Sequence, residues 1–377
     1  MKEVGFVNKK NLTIARENMG LTTLSASKKI TSSKQDFVAQ WENGDSLPTW
    51  PQVTKLAKAY NVSELLLLSR REIKKNKSIP DYRVGIKDDG DEKVKKLINL
   101  VISRQKWLEK KLQESGQAKN KLQGSGKNIQ NHKEMAGFIA DQLQIDAGQI
   151  KSFRGVGARK KALDYLIEKA EGYNIFVGKT ISYHKLTVDD MRGLFISNNY
   201  CPFIVLNRAD ALSAQIFSFV HELTHLFRKS DSISNSLEFR TTRNGENSEE
   251  IFCNKVAVEF LLPEHDFANA VYGKADITNI SEIYKVSEIC IFYRLAELGK
   301  IQKSNQYDLE KEILAEMAEN LKRKKEAQKD NDGGNFYNLM KDSNGDLFNR
   351  VVADSYFSNN IGYVEASNLL RFSAEMV

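Results

Sequence analysis

Apolar positions at helical spacing dominate the front of this chain. Leu12, Ile14 and Ala15, then Leu21, Leu24 and Ile30, then Phe37, Val38 and Trp41 predict three short helices. Val53, Leu56, Ala57 and Tyr60, followed by Val62, Leu65 and Leu66, predict two more. Residues 71–131 are charged and interrupted, and the Ser/Gly/Lys-rich stretch from Glu114 to Asn131 reads as a flexible linker. Residues 132–300 hold most of the aromatic and β-branched residues and should form the main core. Within them, Ile216, Phe217, Phe219, Val220, Leu223, Leu226 and Phe227 make one helix apolar nearly all round, with Asp210 placed to cap its start. Glu250, Asn254, Ala257 and Leu261 share one face of another helix, which ends at Pro263. Ile283 to Ile301 reads as a helix pair. A charged helical run from Tyr307 to Lys329 follows, then the polar break from Asp330 to Gly334. Tail helices around Leu347–Phe357 and Tyr363–Leu370 read either as a small additional helix-turn-helix or as helices packed on the body. No repeat of fixed period is present.

A length of 377 residues suggests two or three units. The division expected is 8–70, a connector over 71–131, a main domain over 132–305 and a helical segment over 306–377. With 41% hydrophobic and 28% charged residues the chain has the make-up of a soluble protein with a sizeable core. Cys201, Cys253 and Cys290 form no close-spaced pair, which argues against a disulfide framework or a cysteine-rich metal cage. Met1 to Lys10 contain no apolar run of the signal-peptide kind. No stretch approaches the roughly 18 apolar residues of a membrane span. The expectation is a cytoplasmic protein with no membrane partner.

Charge sharpens the picture. Residues 1–130 carry 26 Lys+Arg against 14 Asp+Glu, whereas residues 131–377 carry 30 against 35. A basic front on a mildly acidic body points to a polyanion at the front, or else to a lysine-rich solvated linker. Five short helices in so few residues suit a helix-turn-helix unit that lays one helix in the major groove. The run Trp41-Glu42-Asn43-Gly44, followed by Leu47-Pro48-Thr49, resembles the Xre (lambda-repressor-like) family over residues 11–68. The helix Thr22–Ile30 departs from that family in placing Ala26-Ser27 where a bulkier pair is commoner. The resemblance implies a recognition helix over Ser32–Gln40, with Ser33, Lys34, Gln35 and Gln40 facing bases or phosphates of double-stranded operator DNA. Asp36, which phosphate would repel, is kept away from the backbone. A palindromic operator would imply a homodimer.

The candidate chemistry lies in His221-Glu222-Leu223-Thr224-His225. Histidines four residues apart share one helical face, and the intervening glutamate sits where it can reach a water activated by a metal. This is the pattern in which two histidines bind zinc and the glutamate acts as general base. A catalytic zinc needs a third protein ligand; Glu250 is favoured, with Asn254 one turn on suited to orienting a histidine, and Glu249 is the rival. Cys253 suits a small buried residue at a helix crossing. Tyr293 and Arg294 are candidates for an oxyanion donor, a role that nothing in the sequence assigns. His132, His184 and His265 read as solvent-exposed.

Arg192-Gly193-Leu194-Phe195, Pro202 to Asn207, the His221–His225 motif and the helix from Glu250 to Pro263 together resemble the ImmA/IrrE family of metallopeptidases, over about residues 160–300. That resemblance implies a zincin-like core with a short sheet on the zinc helix, hence an α+β fold, predominantly α. It implies His221, His225 and Glu250 as zinc ligands, Glu222 as the base, Asn254 as the residue behind the ligands, and cleavage of a partner protein, often a repressor. The whole chain is similar to longer proteins that join an Xre unit to this peptidase, with Pro80-Asp81-Tyr82-Arg83 and Gly333-Gly334-Asn335-Phe336-Tyr337 as landmarks. Such fusions look like regulators or antitoxins encoded beside a toxin. The readings that follow are a zinc peptidase that cuts a repressor or toxin, an antitoxin that only binds its toxin, and a metal site that senses a ligand and controls DNA binding.

Overall fold

The computed structural model describes residues 3–31, 34–60, 62–72, 88–180, 186–230, 232–234, 248–267, 271–329 and 336–371. Ser33, Pro80 to Arg83, His184 and Gly333 to Asn335 lie outside them. The chain divides into two units, Met1–Ile79 with Gly85–Arg104, and Pro80–Val84 with Gln105–Val377. No helix among the described residues is long and apolar enough to cross a membrane.

The first unit contains α1 (Lys9–Asn18), α2 (Thr23–Ile30), α3 (Phe37–Asn43), α4 (Trp50–Tyr60), α5 (Glu64–Leu68) and the first part of α6 (Asp88–Glu114). Polar side chains set the helix starts: Asn8, Thr22, Asp36 and Ser63 each accept a backbone N–H of the following turn. Leu12, Ala15, Ala26, Val38, Trp41, Leu56 and Tyr60 fill the core. The run Trp41 to Gly44 has a local explanation. Trp41 is buried, Glu42 takes a two-pronged contact from Arg16 of α1 (2.7 and 2.8 Å), and Gly44 ends α3 at φ +86°. Ala26 and Ser27 are fully buried, and their small size lets α2 and α3 bond directly. Ser27 Oγ accepts the Val38 N–H (2.9 Å) and donates to Asp36 Oδ1 (2.9 Å).

That bond corrects the helix expected over Ser32–Gln40. Asp36 also accepts the Ala39 N–H, so the helix begins at Phe37, and Lys34 and Gln35 precede it as exposed residues. Gln40 lies on α3 and is half-buried.

With side chains only 13% and 9% exposed, Arg16 and Glu42 form a largely desolvated pair. Arg16→Ala strands the Glu42 carboxylate and should cost about 3 kcal/mol, read in urea unfolding of the full chain followed by a probe in this unit. A loss below about 1 kcal/mol would mean that the pair behaves as a surface bridge.

The second unit is built on a four-stranded sheet of order β1-β3-β2-β4, with β1 Phe176–Lys179, β2 Gly193–Ile196, β3 Phe203–Leu206 and β4 Ser232–Ser234. β1 runs parallel to β3, while β2 is antiparallel to both β3 and β4. The first three strands are buried throughout, because α10 (Leu212–Arg228) covers them on one side together with α9 (Ala158–Glu171), and the C-terminal helices pack on β1. α10 in turn packs against α11 (Ser248–Leu261), and α11 against α7 (His132–Gln142).

Three expectations change. The Glu114–Asn131 stretch is no tether: Leu122 is in the core, and the Gly124 and Gly126 N–H groups donate to the Leu226 and Phe227 carbonyls at the end of α10. Asp210 does not cap α10, whose first residue follows Ala211; the Asp210 carboxylate is taken by Arg192 instead. Leu309 and Ile313 of α14 (Gln306–Lys329) belong to the same core as α10, so no core boundary falls at residue 305. α15 (Phe336–Asn344) and α16 (Asp346–Phe357) lie along β1, with α17 (Tyr363–Leu370) packed against both; Ser343 Oγ donates to the Lys179 carbonyl (2.7 Å) and Phe348 packs edge-on against Phe203. Of the two arrangements open for the tail, packing on the body is the one seen.

Glu171, at the end of α9, accepts the Leu347 N–H at the start of α16. Burial, with nearby Asp346 adding, pushes its carboxyl up to about 7. A carboxyl raised on folding stabilises the fold below its ordinary pKa and loses that contribution as pH rises through the raised value. Glu171→Gln, which keeps an acceptor without the charge, should therefore be more stable than wild type at pH 8, by about 1–3 kcal/mol. The two should converge near pH 4.5. Thermal unfolding at both pH values checks this, and equal stability at pH 8 would count against it.

Candidate metal centre

α10 is buried from Ala214 to Phe227, so its histidines cannot turn to solvent. Four residues apart, His221 and His225 present their rings on the face that meets α11, with ring centroids 4.9 Å apart. Glu250, in the first turn of α11, faces them. Its Oε2 lies 3.2 Å from His221 Nε2 and its Oε1 lies 3.0 Å from His225 Nε2. The two Nε2 atoms are 3.1 Å from each other. The side chains are 4%, 0% and 11% exposed.

The outer nitrogens are engaged. His221 Nδ1 is 2.9 Å from Asn254 Oδ1, one turn beyond Glu250 on α11. An amide oxygen only accepts, so His221 keeps a proton on Nδ1, which leaves Nε2 as the nitrogen whose lone pair a bound metal would use. His225 Nδ1 is 2.9 Å from Ser230 Oγ. Ring-nitrogen lone pairs and a carboxylate meeting at this range repel unless a proton or a metal cation lies among them. Oε1 of Glu250, moreover, is a buried oxygen with no hydrogen-bond donor among the described residues. A proton offsets part of this. Burial works against a charged His221 ring, yet the Glu250 carboxylate outweighs it and pushes His221 up to about 9. Burial likewise opposes a charged Glu250, but the two histidines hold its carboxyl well below the usual range. A divalent cation satisfies all three groups at once, and two imidazoles with one carboxylate suit a first-row metal ion.

A second group, His225, Glu249 and Cys253, also converges. It fits a metal less well. Burial pushes the Cys253 thiol far up, so the thiolate a metal needs is disfavoured. Glu249 is already held by Arg228 Nε (2.6 Å) and by Ser230 Oγ (3.2 Å).

Glu222 is fully buried and points over β2. A Cβ at Gly193 would lie 2.3 Å from Glu222 Oε1, so only glycine leaves this carboxylate its place. The structure therefore brings together His221, His225, Glu250, Asn254 and Glu222. It directs Arg294 and Tyr293 elsewhere: Arg294 is buried against Glu259 and the Leu262 carbonyl, and the Tyr293 hydroxyl donates to Glu310 (2.5 Å). His132 is half-buried at the start of α7, and His265 is exposed.

The residues that sequence reasoning missed are Gly193, Ser230 and Arg228, together with the part Glu249 plays. Gly193 stood in a recognised run without a role. Ser230 had one local signal, its place five residues beyond His225, where a helix end turns the chain back.

Residues 177–296 match the Peptidase_M78 family model, the IrrE N-terminal-like domain. The match takes in nearly all of the sheet, α10, α11, α12 (Lys274–Tyr284) and all but the last residue of α13 (Glu288–Glu297); α13 alone fills most of the Ile283–Ile301 stretch expected to hold a helix pair. It supports a metallopeptidase-type domain of the ImmA/IrrE kind around the cluster. No curated protein and no solved structure matches the chain. The IrrE-like segment contains every residue of the cluster, and the first unit lies outside it.

Proposed function

We propose that this chain is a DNA-binding regulator whose zinc-dependent metallopeptidase domain cleaves a partner protein. The observation that carries the reading is the convergence of His221, His225 and Glu250 with Glu222 beside them, inside a segment that matches a peptidase family. His221, His225 and Glu250 would hold the ion. When bound, zinc supplies a Lewis acid that polarises a scissile carbonyl and acidifies water. Glu222 takes a proton from the attacking water on its carboxylate and returns it to the leaving amine. Asn254 fixes the His221 ring. Gly193 leaves room for the Glu222 carboxylate, and the apolar wall around α10 keeps it from bulk solvent.

The front unit is assigned double-stranded operator DNA. Lys34 and Gln35 are exposed ahead of α3 and Gln40 lies on it, in a region carrying a strong excess of positive charge. Ser33 stays in this set on the sequence alone. A palindromic operator would be met by a homodimer. The protein substrate is taken to be a repressor or toxin encoded nearby.

The test is intact-mass analysis of proteins encoded by neighbouring genes after incubation with the zinc-loaded chain, with and without a chelator. Defined fragments that vanish with chelator are expected. A neighbour that stays bound and uncut would replace the peptidase with a zinc-stabilised binding protein.

A further inference from the structure

α10 ends in a way that has a bearing on the metal. Lys229 takes the left-handed conformation at φ +61°, which turns the chain back so that the Ser230 N–H donates to the His225 carbonyl (3.0 Å). The same turn sets Ser230 Oγ 2.9 Å from His225 Nδ1. That hydroxyl donates to Glu249 Oε1 (3.2 Å), and the same carboxylate oxygen accepts from Arg228 Nε (2.6 Å). Arg228 is itself fixed, donating through Nη1 to the Ile129 carbonyl (3.0 Å) and stacking 4.5 Å over the Phe252 ring.

We propose that Ser230, Glu249 and Arg228 form a positioning relay that fixes which nitrogen of His225 faces the metal. A hydroxyl has one proton. With that proton committed to Glu249, Ser230 offers His225 Nδ1 only lone pairs. With Ser230 the nearer neighbour at 2.9 Å and Cys253 Sγ the farther one at 3.7 Å, Nδ1 then carries the ring proton, and Nε2 presents its lone pair to the point shared with His221 Nε2 and Glu250. Arg228, donating to the same Glu249 oxygen, holds that carboxylate where it accepts from the hydroxyl, which keeps the hydroxyl pointing the right way. Glu249, the sequence's rival ligand, thereby acquires a different task from Glu250 one residue later. Asn254 does for His221 what this relay does for His225, with an amide oxygen in place of an oriented hydroxyl. The inference rests on His221, His225 and Glu250 being metal ligands.

The test uses the full-length chain, with zinc affinity measured by competition against a chromophoric chelator and the ligand field read from the visible spectrum of the cobalt-loaded protein. Ser230→Ala should weaken zinc binding about 10- to 100-fold and alter the cobalt bands. Ser230→Thr, which keeps the hydroxyl, should restore both. Glu249→Gln should weaken binding less than Ser230→Ala does, because a neutral amide can still accept. Far-UV circular dichroism establishes that each variant is folded, and Glu249→Gln carries the test should Ser230→Ala fail to fold. Ser230→Ala with wild-type affinity and an unchanged spectrum would overturn the relay, as would an effect of Glu249→Gln without one of Ser230→Ala. A wild type that binds neither zinc nor cobalt would overturn the metal reading itself.

Discussion

Glu222→Gln should lower the rate of partner cleavage about a thousandfold while leaving zinc and DNA binding intact. The change removes one charge and keeps the shape. Glu222 is fully buried beside Gly193, and glutamine fills the same space without a new clash. The converging ligand atoms belong to His221, His225 and Glu250, so the metal content should not change. What is lost is an acceptor that takes a proton from water and later returns it, which an amide cannot do. Gly193→Ala should act in the same direction by displacing that carboxylate, again without removing a ligand. Single-turnover cleavage with parallel zinc analysis separates these outcomes. Cleavage by Glu222→Gln at the wild-type rate would remove Glu222 from the chemistry.

Glu250→Ala should abolish tight zinc binding and, with it, most of the stability that zinc confers on the second unit. An ion held only by the folded chain stabilises it by about 4 kcal/mol at a thousand times its dissociation constant, and that increment should disappear in the variant. Without metal, the wild type depends on a proton shared between Glu250 and the histidines, so the zinc-dependent shift in unfolding temperature is the diagnostic quantity. The sign of the pH dependence follows from His221. Its pKa is pushed up to about 9, so below that pH zinc must displace a proton, and apparent affinity should rise up to roughly tenfold per pH unit before levelling off. A zinc-induced stabilisation that survives in Glu250→Ala would place the ion elsewhere.

Much of this centre was legible because helical periodicity is a strong signal. His221 and His225 had to share a face, and a stripe ending at Pro263 singled out Glu250 and Asn254 over Glu249. The five front helices were legible for the same reason, through Leu12, Trp41 and Leu56. What was hidden depends on contacts that periodicity does not encode. The start of α3 moved from Ser32 to Phe37 because Ser27, on a different helix, holds Asp36 in capping position. Asp210 stands at the right distance in sequence to cap α10, but Arg192 from a neighbouring segment claims its carboxylate. The Ser/Gly/Lys-rich stretch has a linker's composition, yet its backbone N–H groups meet carbonyls at the end of α10 that need donors. Ser230 had only its place five residues beyond His225 to mark it, since its role depends on Lys229 adopting a left-handed turn.

The central claim is a zinc ion on His221, His225 and Glu250, and zinc-edge X-ray absorption of the purified, zinc-loaded chain tests it most directly. The account predicts a first shell of nitrogen and oxygen only, at about 2.0–2.2 Å, including two imidazoles. A sulfur at about 2.3 Å would contradict it and move the metal to the neighbouring group that contains Cys253.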